Sequence, residues 1–157
     1  MILETGKPLS LDFYLRKALP EELNIFNHIY LVSDTPLLKS NKIVEKTKYE
    51  NAIKFILQGD LQGHCLCFID TYEHKLESTQ LNELQSVFKE SANILLGNTL
   101  SALEKNYLVS ISHPMEQGRL SSYKIEDSFD SYSTSYKLIY NLKEYYVRLV
   151  FQIREKR

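Results

Sequence analysis

A chain of 157 residues, 43% hydrophobic and 11% aromatic, has the size and apolar content of one globular domain with a real core, which excludes a disordered or collagen-like protein. Its 19 Lys and Arg against 20 Asp and Glu leave a formal charge of −1, so no overall field favours a phosphate backbone or an anionic membrane. No apolar run is long enough to span a membrane, and the two cysteines, Cys65 and Cys67, are read as alternating through a strand to opposite faces without a disulfide, so a soluble cytoplasmic protein is the expectation.

Between Ser10 and Val32, Leu11, Leu15, Leu19, Leu23, Phe26 and Tyr30 recur mostly at three- and four-residue steps, the period of an amphipathic helix. Pro20 interrupts the pattern. The spacing predicts a short helix ending near Ala18 and a second opening at Pro20, with one kinked helix as the alternative. Ser33-Asp34-Thr35-Pro36 reads as a turn, and the charged stretch from Lys39 to Lys48 as a loop or edge strand. Ala52 to Leu57 and His64 to Ile69 read as two antiparallel strands around a turn or bulge marked by Gly59 and Gly63, with Asp70 to Thr79 a connection.

The clearest helix runs from about Gln80 to Glu104. Leu84, Val87, Phe88, Ser91, Leu95, Asn98 and Ala102 cluster on the side expected to face the core, with Ala92, Ile94 and Leu103 at its margins. Glu83, Ser86, Glu90, Asn93, Gly97 and Glu104 fall opposite, flanked by Leu96 and Leu100. Beyond it, Tyr107 to Ser112 reads as a strand, His113-Pro114 as a break, and Ser121 to Ser135 as a long loop. Tyr136 to Tyr140 and Tyr145 to Ile153 read as a terminal hairpin. The pattern predicts an α+β fold: a two-layer domain spanning 1–157, with long helices packed on a mainly antiparallel sheet.

Glu90 and Asn93 stand one helical turn apart on the outer face, where both can reach one partner surface. A carboxylate accepts charged hydrogen bonds from Lys or Arg, whereas an amide carries both a donor and an acceptor with which to hold a water. Gly97, four residues after Asn93, permits close approach by a partner's backbone. From spacing alone, an ordinary solvated face is the preferred reading. Ser86, Leu96, Gly97 and Leu100 are the candidate partner-binding positions around the pair, the two leucines because a partner could cover them.

Glu90-Ser91-Ala92-Asn93-Ile94-Leu95-Leu96-Gly97, continued to Leu103, resembles the Glu-x-x-Asn signature of the chemotaxis phosphatase family of CheC and CheX. The order of predicted elements is similar to the CheX branch over about residues 10 to 155. The resemblance implies a CheC/CheX-like fold and hydrolysis of the aspartyl phosphate on a response-regulator receiver domain. Asn93 would orient the attacking water, and Glu90 would pair with the receiver's Lys. Mg²⁺ would sit in the receiver's acidic pocket, with no cofactor bound by this chain. A non-catalytic adaptor for a receiver or flagellar-switch protein is the alternative, and a homodimer is also implied. A second Glu-x-x-Asn, at Glu21 and Asn24, matches the continuation poorly and is read as capping or ordinary surface.

Other chemistries are not supported by pattern. His28, His64, His74 and His113 lack metal-ligand spacing, and 59–63 lacks the Lys-Ser/Thr ending of a phosphate-binding loop. The eleven tyrosines are read as strand and interface residues rather than base-stacking platforms, so neither nucleic acid nor membrane is an expected partner.

Overall fold

The structure, a computed structural model, describes residues 10–40, 44–46, 51–70, 76–118, 122–124 and 129–156. Ser10 accepts a hydrogen bond from the Phe13 N–H at 3.4 Å and opens helix α1 (Leu11–Ala18). Asp12 in its first turn and Arg16 and Lys17 in its last complement the helix dipole. Leu19 ends it in an extended conformation, as the residue before a proline favours.

The second helix predicted at Pro20 is a β-hairpin instead, formed by β1 (Glu22–Phe26) and β2 (Ile29–Ser40). Leu23/Ile25 and Ile29/Leu31 also satisfy a two-residue period, and pairing across the His28 turn selects it. Ser33 to Pro36 is likewise no turn but an irregular stretch within β2, where the register against β9 (Asp130–Tyr140) shifts twice. The expected long loop of Ser121 to Ser135 is instead strand at Ser122–Lys124 and again from Asp130. Thr134 Oγ1 donates to the Thr35 carbonyl at 2.7 Å, and the Ser135 N–H donates to Thr35 Oγ1 at 3.0 Å. The Ser/Thr-rich composition that resembles a loop thus supplies hydroxyls to bond an irregular ladder.

The central hairpin of 51–70 is as expected: β4 (Asn51–Gly59) and β5 (Leu61–Asp70) pair antiparallel. So is the later one, where β9 meets β10 (Lys143–Glu155) across Asn141 and Leu142, both at positive φ as a two-residue hairpin turn requires. With β6 (Val109–Ile111) and β7 (Met115–Gly118) the main sheet has eight strands, in the order β1-β2-β9-β10-β5-β4-β6, with β7 also paired to β4. All of its pairings are antiparallel. β3 (Val44–Lys46) and β8 (Ser122–Lys124) form a separate two-stranded sheet. The rest of the 39–48 stretch beyond Ser40, and 71–75 of the predicted connection, lie outside the described residues.

α2 (Ser78–Leu103) is the long helix, at 26 residues against 8 for α1, so the protein is richer in sheet than the expectation of several long helices. Both helices contribute to one apolar core with the odd-numbered residues of β10, from Tyr145 to Ile153, and with Cys65, Cys67 and Ile69 of β5. This corrects the reading of the cysteines. Residues two apart on a strand share a face, and both thiols are buried and free in that core. Burial, and then the neighbouring Cys67, raise the Cys65 thiol well above its ordinary value, so it behaves as a small apolar group.

At the β4–β5 turn, Asp60 locks the end of β6: its carboxylate accepts the Leu108 N–H at 2.8 Å, and its own N–H donates to the Leu108 carbonyl at 2.7 Å. The return of the chain after β10 joins the same turn through Lys156 N–H to the Asp60 carbonyl at 2.8 Å.

Candidate functional site

The inner face of α2 consists of Leu84, Phe88, Ser91, Ala92, Leu95, Leu96, Thr99 and Leu103. Relative to the sequence expectation, the buried stripe is rotated by roughly half of the 100° step between successive residues. Asn98, placed toward the core by periodicity, is exposed and donates from Nδ2 to the Ile94 carbonyl at 3.2 Å. Thr99 takes its place inside, beside Ser91, which periodicity already put there. Ser91 Oγ and Thr99 Oγ1 donate to the carbonyls of Val87 and Leu95 at 2.7 and 2.8 Å, which removes the cost of burying their hydroxyls.

The rotation leaves Glu90 and Asn93 exposed on the opposite face. They lie about 60° apart around the axis and about 4.5 Å apart along it. Neither side chain makes a hydrogen bond or ion pair among the described residues, so both are available to an incoming surface. Ser86 is exposed one turn before Glu90, its hydroxyl donating to the Asn82 carbonyl at 3.2 Å. Gly97 continues the stripe, and a Cβ there would meet nothing within 4 Å.

The two leucines differ from expectation. Leu96 is 2% exposed and belongs to the protein's own core, so it is not a partner-binding residue. Leu100 is half-buried and packs against that core. The same rotation explains both. What pattern could not show is Lys89, one turn before Asn93, whose ammonium is held by Glu116 of β7 at 3.2 Å. That pairing links residues 27 apart, and nothing local in the sequence signals it.

Gly97 offers a clean separation of stability from recognition. Gly97→Ala is expected to stabilise the fold by about 1 kcal/mol, because alanine is the better helix former and its methyl enters open space. Urea unfolding monitored by circular dichroism checks this; a loss of stability would mean that the position is not open.

The second Glu-x-x-Asn does not form a site of this kind. Asn24 lies in β1 and Glu21 just before it, where a three-residue separation places side chains on opposite faces rather than on adjacent turns. His28, His64 and His113 sit on separate elements, His74 lies outside the described residues, and no group of His, Cys, Asp and Glu able to hold a metal occurs among the described residues. Several tyrosines serve the core: Tyr136 Oη donates to the Pro20 carbonyl at 2.6 Å, and burial, followed by Asp130, pushes Tyr132 up to about 12. No helix among the described residues is long and apolar enough to cross a membrane.

No protein-family model matches the sequence, and no curated protein does. Among solved structures, the chain is similar to a CheC-like superfamily protein from Shewanella sp. PV-4, with a TM-score of 0.48, 12% identity, and coverage of 91% of this chain and 99% of that one. A second is Borrelia burgdorferi CheX, solved in complex with CheY, BeF3 and Mg, with a TM-score of 0.45, 13% identity, and coverage of 91% and 92%. FliY from Thermotoga maritima gives a TM-score of 0.47 at 11% identity, covering 88% and 84%. Among the solved structures to which this chain is similar are thus proteins of the CheC, CheX and FliY kind.

Proposed function

We propose that this protein promotes hydrolysis of the aspartyl phosphate on a response-regulator receiver domain. The observation that carries the reading is the pair on the outer face of α2: a carboxylate and an amide one turn apart, both exposed and both without a partner among the described residues. An acyl phosphate already has a good leaving group, so its hydrolysis needs alignment and charge stabilisation more than a covalent nucleophile. Asn93 inserts beside the phosphoryl group, its amide holding the attacking water in line. The phosphorus–carboxylate bond then breaks, returning the receiver's aspartate and releasing inorganic phosphate. Glu90 pairs with the receiver's lysine and fixes the register of the two proteins. Mg²⁺ belongs to the receiver's acidic pocket, where it neutralises charge developing on the phosphoryl oxygens. This chain supplies no metal ligand in the scheme.

The test is the decay of phosphorylated receiver domains from the same organism, with and without the purified protein. Acceleration of at least one receiver is the expected result. Binding to a phosphorylated receiver with no change in its decay would replace the phosphatase with an adaptor using the same face.

Glu90 has its own signature. Glu90→Ala removes one charge-assisted contact on the order of 1–2 kcal/mol, so association should weaken roughly five- to thirtyfold while turnover at saturating receiver changes less. A titration of receiver concentration separates the two. An unchanged half-saturation point would remove Glu90 from the docking surface.

A further inference from the structure

Where α1 ends beside the last turn of α2, the two helices enclose an open groove of about 450 Å³, lined by Phe13, Tyr14, Lys17, Ala18, Ala102, Lys105 and Asn106. It is distinct from the Glu90–Asn93 face: Ala102 lies nine residues beyond Asn93, about 14 Å along the helix. Its volume is within the range of small-molecule sites. The walls are apolar, with Phe13 edge-on to Tyr14 at 5.5 Å between ring centroids and Tyr14 edge-on to Tyr107 at 5.6 Å. Ala18 and Ala102, each only a methyl, leave the space that a larger side chain would fill.

The rim is cationic. Lys17 holds its ammonium 5.3 Å from the centre of the Phe13 ring, on the groove's own wall. The Lys105 ammonium and the Asn106 side-chain amide make no hydrogen bond or ion pair among the described residues. Among the described residues, no Asp or Glu lines the groove. Helix C-termini carry partial negative charge, which opposes an anion. Four of these terminal carbonyls are bonded, Leu15 to the Leu19 N–H at 3.1 Å, Leu100 to Glu104 at 2.9 Å, Ala102 to Lys105 at 3.4 Å, and Leu103 to both Asn106 and Tyr107 at 3.0 Å. The charged side chains lining the groove, Lys17 and Lys105, are both cationic.

From this arrangement we infer that the α1–α2 groove binds a small organic acid, an aromatic or branched carboxylate whose apolar body packs against Phe13, Tyr14 and Ala102 and whose carboxylate lies between Lys17 and Lys105. The apolar walls disfavour a bare inorganic anion, and the two ammonium groups on the rim disfavour a cationic ligand. Asn106 adds a donor for the second carboxylate oxygen. The inference stands on this groove alone and does not depend on the phosphatase reading.

The experiment is a titration of the full chain, isotopically labelled, with phenylacetate as the probe and amide resonances of Phe13, Tyr14, Ala102 and Asn106 as the readout. Saturable shifts confined to this cluster are expected. K17M/K105M, which retains apolar stems and removes both charges, should weaken binding about tenfold or more. Phenylacetamide should bind comparably weakly to the wild type. A102L fills the groove without touching either lysine, and should abolish the shifts. Absence of saturable shifts, equal affinity in the folded double variant, or inorganic phosphate binding as tightly as phenylacetate would each overturn the inference. Lysines that only offset the two helix C-termini would produce the first of these results.

Discussion

Asn93→Ala is expected to lower the accelerated rate of receiver dephosphorylation by about 100-fold or more, while leaving binding and stability nearly unchanged. The size follows from the role: an amide that orients water in the transition state, and adds nothing to ground-state docking, is lost from turnover rather than from affinity. Preservation of the fold follows from its position. Asn93 is exposed and makes no hydrogen bond among the described residues, so truncation removes nothing from the core, and surface changes of this kind stay within about 0.5 kcal/mol. Asn93→Asp sharpens the test. It keeps the size, removes the two N–H donors and adds a negative charge near a phosphoryl group, so it should be at least as inactive as N93A. Receiver decay measured at saturating protein, beside an independent binding curve, gives both quantities. Equal turnover by wild type and N93A would end the proposed role of this residue.

Gly63→Ala should produce the largest loss of stability among the substitutions considered, about 3 kcal/mol or more, enough to threaten folding altogether. Gly63 lies in β5 opposite Ile153 of β10, at φ +138°. A side chain is strained at that backbone angle, and its Cβ would overlap the carbonyl oxygen of Gln152. Neither partner strand can retreat, because β10 is paired to β9 on its other edge and β5 to β4. The measurement is the urea midpoint, or soluble yield if the variant does not fold. Gly59 carries a similar conflict with the Leu108 carbonyl, which Asp60 holds, but there β4 meets the three-residue strand β6 at the sheet's edge, paired on one side only. A milder loss is expected there. If Gly63→Ala unfolded no more easily than wild type, the close approach of β5 to β10 would be wrong.

Long, regular elements were the legible part of this sequence, and the reasons differ by element. α2 repeats its apolar residues through seven turns, so its existence follows from period alone, and Glu90, Asn93, Ser86 and Gly97 fall outward as expected. Its rotation was not legible. Ser91 and Thr99 bond their hydroxyls to their own helix, which lets them enter the core beside Leu96 and makes polarity a poor guide to direction. β1 and β2 defeated the helical reading because leucines and aromatics spaced three and four apart coincide with residues spaced two apart, and only tertiary pairing decides between them. In β9 the serines that resemble a loop are spent on β2's irregular ladder. The α1–α2 groove had no sequence signature, since Lys17 and Lys105 come together only when the helices pack.

The strand order carries a consequence for biosynthesis. β9 and β10, encoded by 130–155, occupy the middle of the main sheet, between β2 on one side and β5 on the other. As the chain leaves the ribosome, the two earlier hairpins emerge as separate pieces with no direct pairing, and each presents a bare edge to solvent or to a neighbouring nascent chain. Closure waits for the last strand. A stop codon anywhere before 143 removes the seam and leaves two halves with no strand pairing between them, however much of the helix bearing Glu90 and Asn93 has already been made.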